Sequence, residues 1–112
     1  MPQPKRNKET DYLFEAILSL ETVDDCYHFF EDLCTIKELA EMVKRMRAAK
    51  MLADNKVYTE ITDATGLSTA TISRVNRCLR YGSDGYAEAL RRLEAKGVTL
   101  QYDDDGTEDG NA

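Results

Sequence analysis

The corner Gly66-Leu67-Ser68 constrains this chain more than any other feature, because it joins two stretches of helical periodicity within Tyr58–Leu79 (YTEITDATGLSTATISRVNRCL). Ile61 and Ala64 give a short leading helix an inner face. Gly66 admits the left-handed backbone that a Cβ resists. Leu67 plugs the gap between the helices, and the Ser68 hydroxyl is suited to accept an orphan amide hydrogen bond at the start of the next helix. Ile72, Val75 and Leu79 then recur at helical spacing as a buried stripe. Thr69, Ala70, Thr71, Ser73 and Arg74 fall at or near the opposite face. The joint pattern reads as a helix-turn-helix whose second helix runs from Ser68 to about Arg80. Its small, hydroxylated and basic outer face suits close approach to a major groove. Ser68 at the helix start is counted among the DNA-contact candidates with this face, and Arg77 and Arg80 add phosphate-contact candidates by charge.

The remaining periodicity is helical as well. The apolar positions Leu13, Ile17 and Leu20 predict a helix over residues 8–20, and Thr22 predicts a cap for a second, with Asp25 as its partner. Thr35 and Glu38 have capping-box spacing for a longer helix from Ile36 to about Ala53. After the break at Tyr81-Gly82, Ser83 is the expected cap of a last helix with Ala87, Leu90 and Leu93 inside, stopped by Gly97. Residues 98–102 read as a short extended segment packed on the body. Both prolines lie within the first four residues, and strand-like alternation is scarce. The expected fold class is therefore all-α. The expected organisation is a flexible arm over 1–7, one helical DNA-binding domain over 8–100 and an acidic disordered tail over 101–112.

Charge is segregated along the chain. The net charge is −6, from 15 basic and 21 acidic residues. Five of the acidic residues (Asp103, Asp104, Asp105, Glu108 and Asp109) follow Leu100. From Lys37 to Lys96 there are 12 basic residues against 8 acidic. Phosphate attraction needs a local basic face rather than a basic protein. No apolar run has membrane-spanning length and the N-terminus lacks a signal-like core, so no membrane partner and a cytoplasmic location are expected.

Catalysis and metal binding find little support. Cys26, Cys34 and Cys78 have no paired-ligand spacing, and Cys26 and His28 would point to different faces of one helix. His28 lies among Tyr27, Phe29 and Phe30, and no nucleophile–base pair is in evidence. Neither an enzyme nor a metal site is expected. Leu13, Phe14, Leu18, Phe29 and Phe30 exceed what one small core needs. Packing against a second copy would use them, and a two-fold homodimer would read two half-sites.

DLCTIKELAEMVKRMRAAKML and YTEITDATGLSTATISRVNRCLRYG, in this order of helices, resemble the Trp repressor superfamily, and within it the YerC/YecD-type Trp-repressor-related proteins. The resemblance runs from Leu33 to Leu93. It implies an intertwined homodimer and a transcriptional regulator, a repressor, acting on double-stranded DNA. By position it implies that Thr69, Ala70, Thr71 and Ser73 read DNA, with Thr62 at the end of the preceding helix. It also raises a small-molecule corepressor. Arg74 matches the family's carboxylate-binding arginine on the recognition helix, and a second could correspond to Arg45 or Arg47. The glycine that helps admit an indole is replaced here by Val75, so a different effector, or none, is expected rather than tryptophan. A competing reading keeps the fold but makes it a protein-interaction module without specific DNA binding.

Overall fold

The computed structural model describes residues 5–101, which form six helices and no strand. They are α1 (Lys8–Leu18), α2 (Val23–Leu33), α3 (Ile36–Ala53), α4 (Tyr58–Thr65), α5 (Thr69–Tyr81) and α6 (Gly85–Ala95). The chain divides into two compact units, residues 1–44 and 45–112, and α3 crosses the boundary. The expected acidic tail beyond Gln101 and the first four residues of the expected arm lie outside the described residues.

In the first unit, local hydrogen bonds set the helix starts. Asn7 Oδ1 accepts from Thr10 N at 2.8 Å. Thr22 and Asp25 form a reciprocal capping box, and so do Thr35 and Glu38. The Glu21 amide is the foremost cause of an Asp25 carboxyl held below its ordinary value, ahead of the Thr22 amide and hydroxyl. α1 ends at Leu18 rather than Leu20, because the Ser19 hydroxyl donates back to the Ala16 carbonyl at 2.6 Å and the Ser19 amide closes the last turn. Phe29 and Phe30 meet edge to face, with ring centroids 5.4 Å apart.

Among the described residues, nothing before Ala48 is buried. Tyr12, Phe14, Leu18, Tyr27 and Leu33 are exposed. Within one chain, this unit thus has helices with good caps and no core.

The second unit holds the core. Ala48, Ala49, Met51 and Leu52 of α3 pack with Ile61, Leu67, Ile72, Val75 and Leu79, while Tyr58, Ala64, Tyr86 and Leu90 press on the cluster. Ala48 and Ala49 are fully buried, and such small side chains let other backbone approach α3 closely. α3 ends with Asn55 in the left-handed region (φ 64°). Lys56 N donates to Met51 O and Asn55 N to Leu52 O, a Schellman closure. Gly97 (φ 74°) ends α6 in the same way, with Val98 N donating to Leu93 O.

Two expectations at the C-terminal end are corrected. Asp84 (φ 65°), not Ser83, precedes α6, and no side chain caps it. The helix begins one residue later and turns Tyr86 and Leu90 inward, leaving Ala87 exposed. An aromatic ring has far more apolar area to bury than a methyl group, so Tyr86 sets the rotation. Residues 98–101 form no strand and are exposed, with Val98 at 50% and Leu100 at 42%, so the expected packed segment is absent there. Its last residue, Tyr102, lies outside the described residues.

Candidate nucleic-acid interface

The α4–α5 corner is held by its own hydrogen bonds. Gly66 has φ 75° and donates to the Thr62 carbonyl at 2.8 Å. No atom lies within 4 Å of where its Cβ would be, so the backbone conformation alone calls for glycine. Buried Thr65, unremarked in the sequence, locks the turn from inside. Its hydroxyl donates to Ile61 O at 2.8 Å and accepts from Leu67 N at 3.1 Å. Only its position two residues before a buried leucine hinted at such a turn. Ser68 caps α5 by accepting from Thr71 N at 3.1 Å, and its own hydroxyl donates to Thr71 Oγ1 at 3.1 Å.

The core stripe of α5 then fixes what faces outward. Ile72, Val75 and Leu79 are buried, and Val75 is 2% exposed. At 3.6 residues per turn, the opposite stripe is Ala70, Arg74, Arg77 and Tyr81, spaced i, i+4, i+7, i+11. All four are exposed. Thr69 is exposed at the first turn, while Thr71 and Ser73 flank the stripe half-buried. Tyr81 is 88% exposed at the end of the stripe. Sequence reasoning saw it only as the residue where the helix breaks, although its spacing from Ala70 gave the signal.

The cations divide into two groups. Arg74 and Arg77 make no hydrogen bond or ion pair with any other described residue. Arg80, the other phosphate candidate, is committed within the protein. Its Nη2 donates to the Leu52 carbonyl of α3 at 3.2 Å, and its Nε donates to Asn76 Oδ1 at 3.3 Å. Arg47 of α3 likewise donates to the Ala64 carbonyl of α4 at 3.2 Å. On α6, Arg91 and Arg92 both bond Glu88, and Arg92 and then Arg91 hold that carboxyl below its ordinary value. Thr62 departs from expectation: its hydroxyl is enclosed and has no partner among the described residues. It would need another rotamer to reach DNA.

Comparison with known proteins identifies the family. The Trp repressor protein family model matches residues 8–94. The chain belongs to the Trp repressor family. It is 52% identical over 89 residues to the uncharacterized protein YerC of Bacillus subtilis (strain 168), which covers 80% of this chain and 86% of YerC. A TrpR-like protein from Eubacterium eligens ATCC 27750 superposes with a TM-score of 0.78 at 46% identity, over 85% of this chain and 96% of its own. A protein of Staphylococcus aureus, solved as a candidate Trp repressor, gives 0.76 at 45% identity, over 80% and 89%. Trp repressor family membership places the chain among DNA-binding regulators, not enzymes.

Arg45 and Arg47 are the two alternatives for the arginine expected beside Arg74 at an effector pocket. Arg45 and Arg47 are two apart on α3 and leave it on opposite sides. Arg47 is turned toward α4, whereas Arg74 is exposed on α5. Among the described residues no group of side chains could hold a metal ion, and no helix is long and apolar enough to cross a membrane.

Proposed function

We propose that this protein is a homodimeric, sequence-specific transcription regulator, acting as a repressor by occupying promoter DNA. One observation carries the reading. The face of α5 that cannot enter the core presents Thr69, Ala70, Arg74 and Arg77, within a stretch from Ala64 to Ser83 that has three arginines and no carboxylate. Small residues permit groove entry, and arginines supply phosphate or guanine contacts. Thr71 and Ser73 border that face and complete the reading set.

The dimer is supported by the coreless first unit, whose exposed Tyr12, Phe14, Leu18 and Tyr27 need a partner to leave water. Two copies would present two recognition helices to half-sites about one DNA turn apart. An effector other than tryptophan, or none, follows from Val75, whose side chain is already spent in the core.

Selection of bound sequences from a random duplex pool at about 150 mM salt tests the proposal, because non-specific phosphate binding is weakened there. Enrichment of a palindrome with half-sites about 10 base pairs apart is expected. No enrichment, with and without a panel of small-molecule effectors, would refute it in favour of a protein-interaction role.

A further inference from the structure

Residues 45–101 of the second unit are followed by their own electrostatic counterpart. Residues 45–101 contain 10 basic and 6 acidic residues, a net of +4. Residues 102–112 contain 5 acidic residues and no basic one, a net of −5. The positive charge is not evenly available. Glu88 engages Arg91 and Arg92, and Asp54 engages Lys50. Arg74 and Arg77 on the outer stripe of α5 lack any such partner among the described residues, and α5 contains no carboxylate.

Reach is sufficient. α6 leads directly to the exposed residues 98–101 and packs on α5. Helices of 11 and 13 residues are about 16 and 20 Å long. Beyond Gln101, Asp103-Asp104-Asp105 lie two to four residues on, about 7–14 Å of extended chain, and Glu108-Asp109 seven to eight residues on, about 23–29 Å, longer than α5 itself.

We infer that residues 102–112 are an intramolecular competitor of DNA, with the clusters Asp103-Asp104-Asp105 and Glu108-Asp109 occupying the phosphate-binding positions of Arg74 and Arg77. This inference rests on the DNA-binding reading above and adds regulation to it. A tethered segment acts at an effective concentration of about a millimolar. Even a contact as weak as feeble non-specific phosphate binding, about 10⁻⁴ M, then lowers DNA affinity about ten-fold. The factor applies equally to all DNA, so it moves non-specific binding below the useful range and leaves an operator occupied.

The test uses the full chain with Asp103→Asn, Asp104→Asn, Asp105→Asn, Glu108→Gln and Asp109→Asn. A second variant neutralises five acidic residues of α1 and α2, at Glu9, Asp11, Glu15, Glu31 and Asp32. Without DNA, amide chemical shifts of Thr69–Tyr81 should differ between the parent and the tail variant at about 50 mM salt and converge at about 500 mM, where charges are screened. Identical shifts at low salt would overturn the contact whatever DNA does.

With a random duplex at about 50 mM salt, the tail variant should bind about ten-fold tighter than the parent, and the α1–α2 variant within about two-fold of it. Equal affinities of parent and tail variant, or an equal gain in both variants, would overturn the competition. If neither parent nor tail variant binds DNA while the shifts differ, the contact stands and the DNA-binding reading fails.

Discussion

Arg77 and Arg80 are three residues apart and equally basic, yet the structure gives them different work. Arg77 is exposed and makes no internal bond among the described residues, so Arg77→Ala should leave stability within about 0.5 kcal/mol of the parent. If it contacts a phosphate, its loss should reduce the salt slope of DNA binding by about one. Arg80 joins α5 to the end of α3 across 28 residues of sequence. A hydrogen bond of that kind contributes about 1 kcal/mol, taken low in the range for a charged donor because Arg80 is exposed. The Asn76 contact, one turn away on the same helix, adds about 0.3 kcal/mol.

Arg80→Ala should therefore lower the melting temperature by about 5–10 °C for a domain of this size. Arg80→Lys keeps the charge but not the planar fork that spans both acceptors. It should lose most of that stability and keep the salt slope. Thermal melts at fixed protein concentration, paired with binding isotherms at several salt concentrations, separate the two roles. An Arg80→Ala protein melting within about 2 °C of the parent would refute the assignment of Arg80 as a tie.

Three other predictions follow from local geometry. Gly66→Ala should cost about 1–2 kcal/mol, the penalty of left-handed backbone alone, whereas Gly82→Ala should cost more, because its Cβ would lie 2.5 Å from the Cys78 carbonyl oxygen and 2.9 Å from its Cα; melting curves in the reverse order would contradict this. Asp25, with its folded carboxyl below the ordinary 3.8, stabilises the α2 cap fully above that value and loses the contribution as pH falls through the lowered one. Amide exchange at Glu21 and Thr22 should rise over that acid window beyond the common pH dependence, and Asp25→Asn should remove the excess. The pair Phe14→Asp and Leu18→Asp should convert a dimer to a monomer in sedimentation; an unchanged sedimentation profile would remove these residues from the interface.

The fold was legible where sequence chemistry is local. Capping pairs at Thr22, Thr35 and Ser68 depend on side chains three residues from their partners, and the Gly66 turn depends on one residue's backbone. The buried stripe of α5 follows from spacing alone. What escaped was non-local. Arg80 and Arg47 looked like ligands because charge is visible in sequence, but the carbonyls that hold them, at Leu52 and Ala64, belong to other helices. The role of Thr65 and the enclosure of the Thr62 hydroxyl are hidden for the same reason: a threonine's rotamer is chosen by neighbours that the sequence does not display. At α6, a favourable serine cap lost to the burial of Tyr86, a tertiary gain overriding a local one.

This division of labour bears on how such a regulator changes its target. The groups that hold α5 are turned inward and bonded: Thr65 in the corner, Ser68 at the cap, Arg80 at the far end and Ile72, Val75 and Leu79 along the core. The outward stripe of Ala70, Arg74 and Arg77 contributes little to that scaffold. Substitutions there should fall within the small stability range of ordinary surface changes, about ±0.5 kcal/mol. If the stripe reads DNA as proposed, the same substitutions should alter base discrimination by about 1–3 kcal/mol per good contact. On that reading, specificity should be open to rewriting along the stripe almost independently of folding, provided that the small residues near Ala70 stay small enough for the helix to enter the groove.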